Sequence, residues 1–537
     1  MNPPKKHTRT LTVAASAVAV TALALAPMTA ATAAPAQCDI GTAISVKKIA
    51  TCVAAPGVYE HMQAFQKIAD ENGGNRAAGL PGYERSVDYV VDTLTKAGWK
   101  VTIDEFPYLF NYDPVLTQLT PAETERASGS FVGSAYGDVT GTIIPVDLVL
   151  DLPRDPVTSG CETEDFDGLD FSGPADIALV QRGTCEFGVK AFNAETAGAE
   201  AVIIMNQGNT PARSDVFTNV TLIGEVTEPR GIPVVSTSFD SGVALAEAGS
   251  TARVQIAEPE SRPQKNVIAE LPGRNANNIV MAGAHLDSVR EGPGINDNGS
   301  GSATLLEVAQ TFSKLKPQNT IRLAWWGAEE DGLVGSSEYV LGLSQAERDR
   351  IGLYLNFDMT GSPNYIYTVY DADQSGFVAP EGVPIPEGSV QIENLFEGYF
   401  STLRVPYDDA EFSGRSDYQA FIEAGIPSGG LFTGAEEPKT EEQAAIWGGT
   451  AGEQLDPCYH EACDSIENVS IEALGVNAGA IAVAIGVFSY STESVNGVRG
   501  GYVPSSLRLP TIAGPEGTTN TDGGGGLAPH HDELVAG

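Results

Sequence analysis

Several stretches of this chain end an apolar run in residues able to hold a metal ion or move a proton. NIVMAGA leads into His285 and Asp287, IRLAWWGA into Glu329 and Glu330, and LYLNF into Asp358. Between the first two, GINDNGSG delivers Asp297 on a sharp turn that its glycines permit. A further stretch, PCYHEACD, sets Tyr459 and His460 between two cysteines. Imidazoles and carboxylates are ligands for first-row divalent ions, and a carboxylate beside them can accept a proton.

Each residue also has a plainer reading. An acid at a strand end is usually a helix cap or a solvated turn, and His-x-Asp alone is a weak signal. GSGS could suggest a phosphate cradle, but it lacks the lysine of a P-loop and is surrounded by acids. Glu329 and Glu330 are harder to dismiss. They directly follow the run containing Trp325 and Trp326, and adjacent carboxylates repel unless a cation or a proton is present. Of the six histidines, His7 lies in a leader, His530 and His531 in a solvated tail with Asp532, and His61 on a helix beside its polar face. His285 and His460 remain.

One histidine per ion, with carboxylates making up the rest, suits a two-zinc hydrolytic centre in which Asp297 is placed to bridge. Asp287, two residues after His285, has the spacing of a carboxylate that orients the imidazole. A bridging carboxylate must turn back into the site, so the Asp297–Asn298 peptide is expected to be strained and cis.

The elements that must position these groups follow from the apolar periodicity. In a largely parallel sheet the carboxyl ends of the strands face one crevice. Helical patterns at 303–312 and 336–343 separate the three runs, as parallel connections require. Upstream, Met62, Phe65 and Ile68 mark one helix, and Val87, Val90, Val91 and Leu94 a second that Gly98 ends. WKVTIDEF (99–106) reads as a strand. From 126 to 262 the texture changes to short strand-like runs (TGTIIPVDLVL, DIALVQRG, EAVIIMNQ, GIPVVSTS), which predicts a small β-rich domain inserted into a larger α/β domain. The organisation is therefore an α/β domain over 37–125 and 263–497, an insert over 126–262, and a Gly-, Pro-, Ser- and Thr-rich tail over 498–537. AGAIAVAIGVF (478–488) is too short to span a bilayer and reads as a buried helix.

Charge and cysteines narrow the setting. With 31 Lys+Arg against 70 Asp+Glu the net charge is −39, which argues against nucleic acid or an anionic membrane as partner. Residues 1–36 combine Lys5, Lys6 and Arg9 with LTVAASAVAVTALALA and the small-residue site Ala34-Pro35-Ala36, the pattern of a secretory signal peptide. A secreted, extracellular protein is expected, and a monomer. Six cysteines in an oxidising compartment allow fifteen pairings. The simplest joins neighbours: Cys38 with Cys52, Cys161 with Cys185, and Cys458 with Cys463.

The motifs HLDS, GINDNGSG, AWWGAEE, NFDM and CYH, in this order, resemble those of the secreted bacterial di-zinc aminopeptidases of the Streptomyces leucyl aminopeptidase type. The likeness extends through 72–90 and 413–437 and covers about 40–110 and 264–490. It implies a three-layer α/β/α zinc-exopeptidase fold of the phosphorylase/hydrolase-like kind, with a mostly parallel mixed sheet. It implies two Zn2+ per chain, with His285 and Asp358 on one ion, Glu330 and His460 on the other, and Asp297 bridging. It also implies Glu329 as general base, Tyr459 as donor to the oxyanion, and Arg415 lining the substrate pocket. The substrates implied are peptide or protein N-termini with large apolar first residues. Tyr418 stands where relatives are expected to carry histidine, a departure expected to alter the pocket rim. IALVQRGTCEFGVKAFNAETAGAEAVIIMNQ (177–207) resembles a protease-associated domain, an insert that influences access of peptides to the site. Rival readings are a di-zinc carboxypeptidase or dipeptidase on the same fold, and a receptor-like scaffold without catalysis; the latter should lack the metal ligands, and all five are present.

Overall fold

The structure is a computed structural model that describes residues 38, 40, 44–218, 220–222, 231–380 and 382–510. The expected signal peptide over 1–36 and the distal tail with His530, His531 and Asp532 lie outside the described residues.

The main sheet has eight strands: β1 (Lys100–Phe110), β2 (Glu260–Leu271), β3 (Asn275–His285), β4 (Asn319–Trp326), β5 (Ile351–Phe357), β6 (Thr368–Tyr370), β7 (Asp408–Ala410) and β8 (Ser428–Phe432). Their order is β1-β2-β4-β3-β5-β8-β6-β7. The centre, β4-β3-β5-β8, is parallel, while β1 and β2 join antiparallel at one side and β6 runs antiparallel to β8 at the other. β5 is buried at every residue and β4 at all but one, as expected of strands covered on both faces.

Successive side chains of a strand point to opposite faces, and the Trp325-Trp326 pair shows this directly. Trp325 joins the larger core, against helices α1 (Ala55–Glu71), α2 (Pro81–Lys96), α3 (Gly299–Phe312), α4 (Ser389–Leu403) and α5 (Ile471–Phe488). Trp326 joins a second core with Val340, Tyr354 and Phe421, whose rings stack at 3.7 Å between Tyr354 and Phe421. The result is a three-layer α/β/α architecture. Helix α5 extends the apolar stretch read from the sequence to eighteen residues, long and apolar enough to cross a membrane by composition alone. It is buried along most of its length instead, packed in the larger core.

The chain leaves the main sheet after β1 and re-enters at β2, and β1 pairs with β2 along its whole length. Between them lies a second eight-stranded sheet, entered at Val115–Thr120 and left at Thr251–Ile256. Its central strands, Gly137–Pro145, Asp176–Gln181, Ala201–Met205 and Val234–Thr237, run parallel, and the helix Phe187–Ala197 packs on it. All three nearest-neighbour cysteine pairs are disulfides: Cys38–Cys52, Cys161–Cys185 and Cys458–Cys463.

Two sequence expectations fail here. His61 is not beside a polar face; it is buried, with Nδ1 2.6 Å from the Tyr89 hydroxyl, because α1 packs against α2 along that line. Tyr418 does not reach a pocket rim. Its ring is buried edge-on against Tyr370 and Phe412, at 4.9 and 5.0 Å, and its hydroxyl accepts the Gly414 N–H.

Candidate metal centre

Register brings the three strand ends together. His285 pairs with Trp326 across β3 and β4, and Gly283 pairs with Asn356 across β3 and β5. Asp358, two residues beyond Asn356, is therefore level with His285, and Glu329 and Glu330 lie three and four residues beyond Trp326. Asp297 comes from the loop that enters α3, with Asn298 as N-cap accepting the Gly301 N–H at 3.0 Å. Small residues at that entrance have a packing reason: a Cβ on Gly301 would stand 2.3 Å from the Phe357 carbonyl oxygen. The Asp297–Asn298 peptide is cis. Ala328, Met359 and His460 all have positive φ, at 57°, 48° and 57°, so left-handed backbone stands immediately beside Glu329 and Asp358 and at His460 itself.

The side chains converge on two adjacent spaces. His285 Nε2 lies 3.2 Å from Asp297 Oδ1 and 3.3 Å from Asp358 Oδ1. His460 Nε2 lies 3.3 Å from Asp297 Oδ2 and 3.0 Å from Glu330 Oε2. Thus the two oxygens of one carboxylate face two different imidazoles. Ligand atoms 2.0–2.1 Å from a shared tetrahedral zinc stand about 3.3 Å apart. Glu330 Oε1 and Asp358 Oδ1 are buried with no hydrogen-bond partner, a costly state for a carboxylate that a cation would relieve. The donor set and its orphaned oxygens fit a pair of divalent ions. Glu329 is buried with Oε2 3.9 Å from His285 Nε2.

The field at the site is set by acids held in a dry space. Burial pulls the His285 imidazole down, but Glu329 and Asp358 outweigh it and hold it well above its ordinary range. Burial pushes Asp297 up, yet His285 and His460 carry its carboxyl below the usual carboxylate range. Glu330 is pushed up to about 7 by burial and by Asp297. Burial also lifts Glu329 well above the usual range; His285 opposes this, and Asp358, Asp417 and Glu330 add to it.

The surrounding residues fix these groups. Asp287 faces the far side of the His285 ring, with its main-chain oxygen 3.2 Å and its Oδ1 3.7 Å from Nδ1. Its carboxylate also accepts the backbone N–H groups of Glu329 and Glu330, at 3.3 Å each. A directed chain of hydrogen bonds ends on Asp358: Trp326 Nε1 donates to Tyr354, Tyr354 to Asn356, Asn356 to Ser416, and Ser416 Oγ to Asp358 Oδ2 at 2.7 Å. Tyr459 stacks on His460 at 3.8 Å, and Arg415 donates to the Tyr459 oxygen at 3.1 Å and to Glu436 Oε1 at 2.7 Å.

Sequence reasoning passed over Arg76, Ser416, Asp417 and Asp464. Arg76 is fully buried and donates to the carbonyls of Leu286, Pro293 and Gly294, clamping the loop that carries Asp297. Burial lowers its guanidinium to about 10, which leaves it charged near neutrality. No side-chain spacing signals such a residue, because its partners are main-chain oxygens.

Comparison with known proteins gives a consistent picture. Residues 266–485 match peptidase family M28, and residues 139–245 match the PA domain. An aminopeptidase of Pseudomonas aeruginosa is 47% identical over 455 residues, 83% of each chain. Leucine aminopeptidase 2 of Trichophyton rubrum is 35% identical over 465 residues, 85% of this chain and 87% of that one. Among solved structures, a zinc aminopeptidase from Bacillus subtilis is similar with a TM-score of 0.59 and 25% identity, over 85% of this chain and 99% of that one.

Proposed function

We propose, from the premise that the chain belongs to peptidase family M28 and is a zinc aminopeptidase, that it releases large apolar N-terminal residues, leucine foremost, from peptides outside the cell. His285 and Asp358 would hold one zinc and Glu330 and His460 the other, with Asp297 shared between them. The observation that carries this reading is the placement of the two Asp297 oxygens, one toward each imidazole.

Zinc bound by these residues would supply a water whose pKa is lowered toward neutrality and a Lewis acid for the scissile carbonyl. Glu329, buried beside His285, takes the proton of the attacking water and delivers it to the leaving amine. The Tyr459 hydroxyl donates to the oxygen on which negative charge develops, and Arg415 holds that phenol in place. The acid-rich wall of the site favours a substrate with a free, protonated α-amine. Three disulfides support an exported protein, and the charge of −39 disfavours nucleic acid and anionic membranes as partners.

The test is a comparison of leucine anilide, N-acetyl-leucine anilide and a peptide blocked at its N-terminus but free at its C-terminus. Hydrolysis of the first alone is expected. Turnover of the last at a comparable rate would favour a carboxypeptidase instead.

A further inference from the structure

The loop that delivers Asp297 is held by one residue in an unusual way. Three consecutive backbone N–H groups, those of Ile295, Asn296 and Asp297, all donate to Asp464: to its main-chain oxygen at 3.0 Å, to Oδ1 at 2.9 Å and to Oδ2 at 2.9 Å. Asp464 is 1% exposed and touches neither imidazole of the centre in any hydrogen bond or ion pair among the described residues. It directly follows Cys463, whose disulfide to Cys458 closes the short loop bearing Tyr459 and His460.

The contact is reinforced by a closed ring of buried polar side chains. Asn296 Nδ2 donates to Asp456 Oδ2 at 2.7 Å, and Asn468 Nδ2 donates to Asp456 Oδ1 at 2.8 Å and to Asp464 Oδ1 at 3.3 Å. The two loops also meet backbone to backbone, since a Cβ on Gly292 would stand 2.2 Å from the Glu461 carbonyl oxygen. A carboxylate suits this position because both of its oxygens accept, whereas an amide would turn a donor toward one of the N–H groups.

We infer that Asp464 is a positioning residue for the two-metal centre. It fixes the Asp297 carboxylate relative to His460, so the spacing of the two ligand groups is set by a side chain that belongs to neither. This rests on the ligand set proposed above. The disulfide and the Asp456–Asn468 pair serve the same end, making one rigid body of the His460 loop and the Asp297 loop.

The variant Asp464→Asn keeps the size of the side chain and removes one acceptor. Zinc affinity, measured by competition with a chromophoric chelator, is expected to fall about 10–100-fold, the usual effect of losing a group behind a metal ligand. The visible spectrum of the cobalt-substituted protein should change with it. kcat should fall with little change in KM, and excess zinc should restore it. Asn468→Ala, which leaves the carboxylate in place and removes one donor, should show a smaller change of the same kind and decides the matter should Asp464→Asn not fold. Wild-type affinity and an unchanged cobalt spectrum in the folded variant would overturn the inference. A wild-type chain that binds fewer than two ions would instead overturn the ligand assignment beneath it.

Discussion

One oxygen of Asp297 lies 3.2 Å from His285 Nε2, and its other oxygen is turned toward His460. A single carboxylate thus belongs to both halves of the centre. Asp297→Asn replaces one of those oxygens with a donor, so both ions should bind weakly, not one. Metal analysis after gel filtration is expected to find less than one zinc per chain, with activity lost in parallel. Two retained ions would show that Asp297 is not the bridge.

Tyr459 tests the other side of the site. Its hydroxyl accepts from Arg415 and is free to donate toward a reacting carbonyl. Tyr459→Phe should lower kcat for leucine anilide by about 10²–10³-fold, the range for loss of one oxyanion donor, with KM nearly unchanged and two zincs retained. A change confined to KM would move Tyr459 from the reacting oxygen to substrate binding.

A third prediction concerns stability away from the metals. Glu307 on α3 faces His61 at 3.9 Å. Burial lifts Glu307 to about 7 and lowers His61 to about 4, so between these values both groups are uncharged and the contact is no ion pair. Below pH 4.5 Glu307 is protonated in the folded and unfolded chains alike. As pH rises toward 7 the unfolded chain gives up this proton and the folded chain keeps it, so wild-type stability falls relative to Glu307→Gln. The gap should level off above pH 7 at about 3 kcal/mol in favour of the variant. His61 titrates in both chains and cancels. Unfolding of both metal-free proteins at pH 4.5 and pH 8 checks this, and a difference independent of pH would contradict it.

How far the site could be read from sequence depended on what kind of contact each residue makes. β3, β4 and β5 were legible because each is an apolar run with a polar stop, and parallel register then aligns those stops. The disulfides were legible because each pairs cysteines close in sequence. Arg76 and Asp464 were not, since both act on main-chain atoms far along the chain, and a charged residue is by default expected at the surface. His61 and Tyr418 misled for a related reason. Tertiary packing, α1 on α2 for His61 and a Tyr370–Phe412 nest for Tyr418, buries both.

Glu329, buried beside His285, is the carboxylate proposed to transfer the proton without binding metal. Zinc content and turnover of Glu329→Gln, measured on the same preparation, test this role most directly. Two zincs per chain with kcat reduced by about 10²–10⁴-fold is the predicted result. Near-normal turnover with both ions in place would contradict it.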